Sequence, residues 1–171
     1  MKPLLMLLAP ENFRDTEYIV PRAFWEQMGI PVQTASLTSE TTGRFGYRVL
    51  PDFLLSEVIA EDFSAVFLVG GSGSLVFQAY PEAKKLGEHF IVAQKPVGAI
   101  CAATQNLLVW GFLAGKNATG WNGDGVFEES CPQYGAIYHD SPVVVDGKIC
   151  TANGPAASEE CALAMGKMLF S

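Results

Sequence analysis

Ser64 to Val69 reads as a strand with no polar face, and it ends abruptly in Gly70-Gly71-Ser72-Gly73. A strand that is apolar on both sides must be covered on both sides, and helices packed on the two faces of a parallel sheet do this. Pro3 to Ala9 has the same continuous apolar character. Between such runs the period becomes helical. Asp15 to Met28 predicts a helix with Ile19, Ala23 and Phe24 on one side and Gly29 as its stop. Further helices are predicted over Leu54 to Ala60, Pro81 to Ala93, Ala102 to Trp110 and Ala156 to Phe170. In the last of these Cys161, Ala164, Met165, Met168 and Leu169 share one apolar face. Pro31 to Ser36, Pro96 to Ile100 and Ile137 to Tyr138 read as strands, and Thr42 to Leu50 as a small hairpin or an excursion. Val143 to Val145 and Lys148 to Thr151 are strands joined by a tight Asp146-Gly147 turn. Gly120 to Gly135 is glycine-rich and aperiodic, so it reads as a long loop or a broken segment. Strands alternating with helices, with no linker or repeat, predict a single α/β domain over residues 1–171 around a mostly parallel sheet.

The 171 residues are 49% apolar and 17% charged, enough to fill a core and incompatible with a disordered chain. Lys and Arg total 11 against 18 Asp and Glu, a net charge of −7 without any basic cluster. Nucleic acid is therefore not an expected partner. The apolar run Leu4 to Ala9 is too short to cross a bilayer and lacks a small-residue cleavage site, so no membrane association is expected and the expected compartment is the cytoplasm. The four cysteines form no C-x-x-C pair and the only histidines are His89 and His139, so neither a metal site nor a disulfide framework is expected.

In open α/β sheets ligands bind where strands end and helices begin. Three segments bring unusual residues to such ends: Glu11 to Glu17, Gly70 to Gly73, and Gly98-Ala99-Ile100-Cys101-Ala102-Ala103. In the third, a strand runs into a helix at a cysteine flanked by small residues, the layout of a nucleophile elbow. A helix N-terminus beside the sulfur would favour the thiolate. The bland alternative is a small buried hydrophobe. The glycine turn lacks the lysine and spacing of a nucleotide loop; it is either half of an oxyanion hole facing Cys101 or a plain turn.

Together these residues resemble the ThiJ/PfpI superfamily, also called DJ-1/PfpI, a branch of the class I glutamine-amidotransferase-like fold. Leu8 to Glu17 is similar to that family's first-strand loop, Val69-Gly70-Gly71 to its oxyanion turn, and Ala99-Ile100-Cys101-Ala102 to its elbow. Val143 to Gly147 is similar to its late hairpin, and Thr151 to Pro155 leading into Glu159 to Ala164 to its final strand–helix junction. The resemblance implies a flavodoxin-like three-layer sandwich carrying a small β-hairpin, a homodimer, and no cofactor. It implies that Cys101 and Glu17 are the catalytic pair and that Gly71 and Ala102 supply oxyanion N–H groups, with Gly70, Trp121 and Asn153 as candidate pocket residues. His139 joins these candidates only because it follows a predicted strand in the late hairpin, the alternative being a solvated loop histidine. The departures concern the base. Ala102 stands where the protease-like branch has His after its Cys, Trp121 stands where another branch has His, and Asn153 stands where that branch has Arg. Three readings follow. The chain is a cysteine-dependent enzyme acting on a small carbonyl or acyl substrate (glyoxalase-like, deglycase-like or hydrolase-like), a non-enzymatic redox or stress sensor or chaperone-like member, or a scaffold with a decayed site.

Overall fold

The computed structural model describes residues 1–171. In chain order the elements are β1 (Leu4–Leu8), β2 (Glu11–Phe13), α1 (Asp15–Gln27), β3 (Val32–Ser36), β4 (Thr41–Gly43), β5 (Arg48–Val49), β6 (Phe53–Leu54) and β7 (Ala65–Leu68). They continue with α2 (Pro81–Val92), β8 (Val97–Ile100), α3 (Thr104–Val109), β9 (Asn117–Ala118), α4 (Val126–Ser130), β10 (Ile137–Tyr138), β11 (Val143–Asp146), β12 (Ile149–Ala152) and α5 (Ser158–Leu169). The central sheet has the order β11-β12-β8-β7-β1-β3-β6. Its pairings are parallel except for the antiparallel β11–β12 hairpin at one edge. Helices flank it on both sides, which gives a flavodoxin-like three-layer α/β sandwich with α1 and α5 packed against each other. β4 and β5 form the small hairpin, and β4 also pairs with β2 outside the main sheet.

Burial explains the continuous apolar strands. Every residue of β1, β7 and β8 is buried, because helices cover both faces. Trp25 of α1 is fully buried, stacks edge-on against Phe67 at 5.1 Å and donates from its indole N–H to the Ala162 carbonyl at 2.8 Å. That bond ties α1 to α5.

Three elements differ from the sequence expectation. The buried stripe of α1 is Glu17, Tyr18, Pro21 and Trp25, while Ile19 and Ala23 face outward. The helix is turned so that the Glu17 carboxyl points inward, which carries Ile19 and Ala23 to the outside. Leu54 to Ala60 is not one helix but the end of β6 and a single turn over Leu55–Glu57, with a second turn over Ala60–Asp62. The pairing of β6 with β3 holds that chain extended. Gly120 to Gly135 contains α4 and a further turn over Cys131–Tyr134, elements too short to show a period.

Candidate active site

The parallel register builds the site. Ala99 lies opposite Leu68, and Ala152 opposite Ile100. The strand ends therefore bring the turns after β1, β7, β8 and β12 to one edge of the sheet. Gly70 and Gly71 follow β7, Cys101 follows β8 and Asn153 follows β12. The first turn of α1 lowers Glu17 into the gap beneath them.

Cys101 has φ +56° at the junction of β8 with a single turn over Cys101–Ala103 and α3. L-residues with a β-carbon rarely adopt that backbone, and surrounding structure must hold it there. Its carbonyl accepts hydrogen bonds from Thr104 Oγ1 at 2.7 Å and from the Trp121 N–H at 3.4 Å. Next to it, Gly70 has no room for a side chain: a β-carbon there would collide with the Glu17 carboxylate and the Ile100 carbonyl, and would lie 2.9 Å from Cys101 Cβ. Gly71 has φ +100°, and a β-carbon on it would press on the backbone of Asn12 to Arg14. Ser74 donates to the Gly71 carbonyl at 2.7 Å and so closes that turn.

Glu17 is 0% exposed, and neither carboxyl oxygen has a fully formed hydrogen bond. Burial raises its pKa to about 7, against the opposing pull of the Cys101 thiol, the Arg14 charge and the Gly70 amide. Cys101 is half-buried, and its thiol is pushed up to about 12, first by burial and then by the negative charge on Glu17. The backbone N–H groups of Ala102 and Gly71 meet the sulfur and offset only part of this rise. The thiolate expected from a helix N-terminus is therefore not the resting form. The turn at Cys101 runs on only into the six-residue α3, and a carboxylate sits beside the sulfur. The proton that leaves near neutrality belongs to Glu17, and the thiol keeps its own.

Above the sulfur opens a cleft of about 670 Å³ lined by Arg14, Arg44, Gly71, Cys101, Ala102 and Trp121 among others. Trp121, 45% exposed, also borders a smaller polar cavity of about 490 Å³ that includes Asn153, Tyr138 and Asp140. Cys101, Glu17, Gly70, Gly71, Ala102, Trp121 and Asn153 thus gather at one end of the sheet. His139 does not join them: it is exposed, lines neither cavity, and its Nε2 meets Asn117 Oδ1 at 2.7 Å. His89 pairs with Glu61 at 3.6 Å on α2. Cys131, Cys150 and Cys161 are buried, the last two with sulfurs 3.9 Å apart. Thr104 and Arg14 were not singled out from the sequence. The hydroxyl three residues past Cys101 was a local signal for the first, whereas nothing local marks the second. No three His, Cys, Asp or Glu side chains are placed to hold a metal ion, and no helix is long and apolar enough to cross a membrane.

The sequence of residues 2–168 matches the model of the DJ-1/PfpI family. The chain belongs to the DJ-1/PfpI family. Among its relatives is a deglycase of Pyrococcus furiosus, 29% identical over 152 residues, 88% of this chain and 90% of that protein. A glutathione-independent glyoxalase of Caenorhabditis elegans is 28% identical over 163 residues, 95% of this chain and 86% of that one. The crystal structure of a ThiJ/PfpI domain protein from Brachyspira murdochii superposes with a TM-score of 0.92 at 29% identity, covering 99% of this chain and 97% of the other. In this DJ-1/PfpI chain the site has a cysteine and a buried carboxyl but no imidazole along the cleft.

Proposed function

We propose that this DJ-1/PfpI protein is a cysteine-dependent enzyme acting on small carbonyl compounds, with glyoxalase-like or deglycase-like chemistry. The observation that carries the reading is the buried Glu17 carboxyl beside the half-exposed Cys101 sulfur at the floor of the cleft. A base is most effective when its pKa lies near the working pH, and Glu17 stands at about 7. As the Cys101 sulfur bonds to the carbonyl carbon, the thiol proton passes to the Glu17 carboxylate and the carbonyl electron pair moves onto oxygen. The N–H groups of Gly71 and Ala102 hold that oxyanion, and the proton on Glu17 is then available to it. Glu17 replaces the absent histidine in this scheme, and the aldehyde hydrogen and leaving steps depend on the substrate. The working protein in this reading is a cytoplasmic homodimer formed of single-domain chains, with a small molecule as its ligand.

The relatives named deglycase and glyoxalase support the carbonyl assignment. Methylglyoxal turnover tests it: wild type consumes the substrate, Cys101→Ser abolishes turnover, and Glu17→Gln reduces it by at least about 100-fold. Full turnover in Cys101→Ser would end the proposal. A second reading is favoured by the donors around the sulfur. The Gly71 and Ala102 N–H groups and a protonated Glu17 also fit the oxygens of a cysteine sulfinate, formed from the thiol by two equivalents of peroxide. Peroxide titration with intact mass separates it, since a sensor oxidises at Cys101 but turns over no carbonyl.

A further inference from the structure

Two arginines outside any close ion pair stand on one side of the cleft, Arg14 near enough to Glu17 for its charge to act on that carboxyl. Arg22 and Arg48 each form an ion pair, with Glu26 and Glu40. Arg14 and Arg44 form none, although the chain carries a net charge of −7, and both line the cavity above Cys101. Arg14 is half-buried, and its Nε is shielded from solvent without a hydrogen-bond partner. Shielding a guanidinium donor without an acceptor costs free energy unless a ligand supplies one.

The two side chains are held together by a third. Arg14 Cζ lies 5.0 Å from the centroid of the Phe45 ring and Arg44 Cζ 5.7 Å from the same ring. Phe45 is 68% exposed, so apolar burial does not hold it there. The hairpin turn is pinned instead by Asp15, whose carboxylate accepts from the Phe45 N–H and the Tyr47 N–H, each at 2.9 Å. Arg14 is fixed toward the reacting end as well, because its backbone N–H donates to the Gly70 carbonyl at 2.8 Å. The acidic residue in the lining, Asp124, accepts from the Val126 N–H at 3.0 Å where α4 begins. The cleft therefore carries positive charge on the hairpin side and negative charge on the α4 side.

We propose that Arg14 and Arg44 form an anion subsite of the Cys101 cleft and select small carbonyl substrates that carry a carboxylate. The inference rests on the carbonyl-enzyme reading for its substrate class but not for its anion. Planar guanidinium forks match the two oxygens of a carboxylate, and the carbonyl carbon of a short oxo acid then faces the sulfur.

Alkylation separates the two claims, because iodoacetate and iodoacetamide differ mainly in charge. At low salt, the ratio of iodoacetate to iodoacetamide rates at Cys101 should exceed that of a small neutral thiol by about tenfold. Arg14→Gln and Arg44→Gln should each lower the ratio by about threefold or more, and Arg44→Glu further. Arg44 is exposed, so its variants test the site without threatening the fold. A ratio equal to that of the small thiol, or one unchanged by both substitutions, overturns the subsite while leaving the nucleophile intact. Should neither reagent label Cys101, the enzyme reading fails, and malonate titration of Cys101→Ser decides the subsite. Saturable fluorescence change that weakens in Arg44→Gln upholds it, and no saturation overturns it.

Discussion

Replacing Glu17 by Gln should change how stability depends on pH. In the folded chain the Glu17 carboxyl has its pKa raised from 4.5 to about 7, mainly by burial. The folded state therefore binds this proton more tightly than the unfolded state. The stabilisation is complete below about pH 4.5 and is lost as pH rises through 7. With these two values the Glu17 contribution falls by about 2.5 kcal/mol between pH 5 and pH 8. The opposite sign would hold for a carboxylate stabilised by an ion pair, which gains as pH rises. Gln has nearly the same size and does not titrate, so the wild-type minus variant difference cancels the ionisable groups that Glu17 does not touch. Urea unfolding of both proteins at pH 5, 6, 7 and 8 under reducing conditions measures it. The difference should shift by about 2.5 kcal/mol in favour of the variant as pH rises. A difference flat within about 0.5 kcal/mol would refute the claim that burial holds this carboxyl partly protonated.

Trp25→Phe should cost about 2–4 kcal/mol in urea unfolding, since it removes the hydrogen bond to Ala162 and leaves a gap between α1 and α5. Gly70→Ala should cost turnover as well as stability, because the added methyl collides with both Glu17 and the Ile100 carbonyl; unchanged alkylation of Cys101 in that variant would contradict the geometry. Light scattering at micromolar concentration should give the mass of a homodimer, and a monomer mass would count against the proposed assembly.

The strand-to-helix turn at Cys101 was legible because its demands are local. Small residues flank a cysteine whose backbone turns sharply, and glycines sit where Glu17 and neighbouring backbone leave no room. The parallel sheet was legible for a similar reason, since strands covered on both faces show no alternation. The face of α1 was not, because the apolar spacing points to Ile19, Ala23 and Phe24 whereas the helix buries Glu17, Tyr18, Pro21 and Trp25. The state of Cys101 was misjudged from its position alone: proximity to a helix start suggests a thiolate, and only the packing reveals the burial and the carboxylate that raise the thiol. Arg14 and Arg44 were invisible as a pair. A hairpin anchored on Asp15 brings them onto one aromatic ring, and no sequence period records that contact.

If Cys101 and Glu17 act as one proton-sharing pair, the pH profile of Cys101 alkylation must carry the titration of Glu17. Iodoacetamide labelling, resolved by peptide mapping, should rise with an apparent pKa near 7, because Glu17, once ionised, takes the thiol proton as the sulfur attacks. Cys131, Cys150 and Cys161, all buried, should lag far behind. In Glu17→Gln the limb near 7 should vanish and move above the range of a free thiol. A wild-type limb at the ordinary thiol value of about 8.5, unmoved by the substitution, would contradict the account.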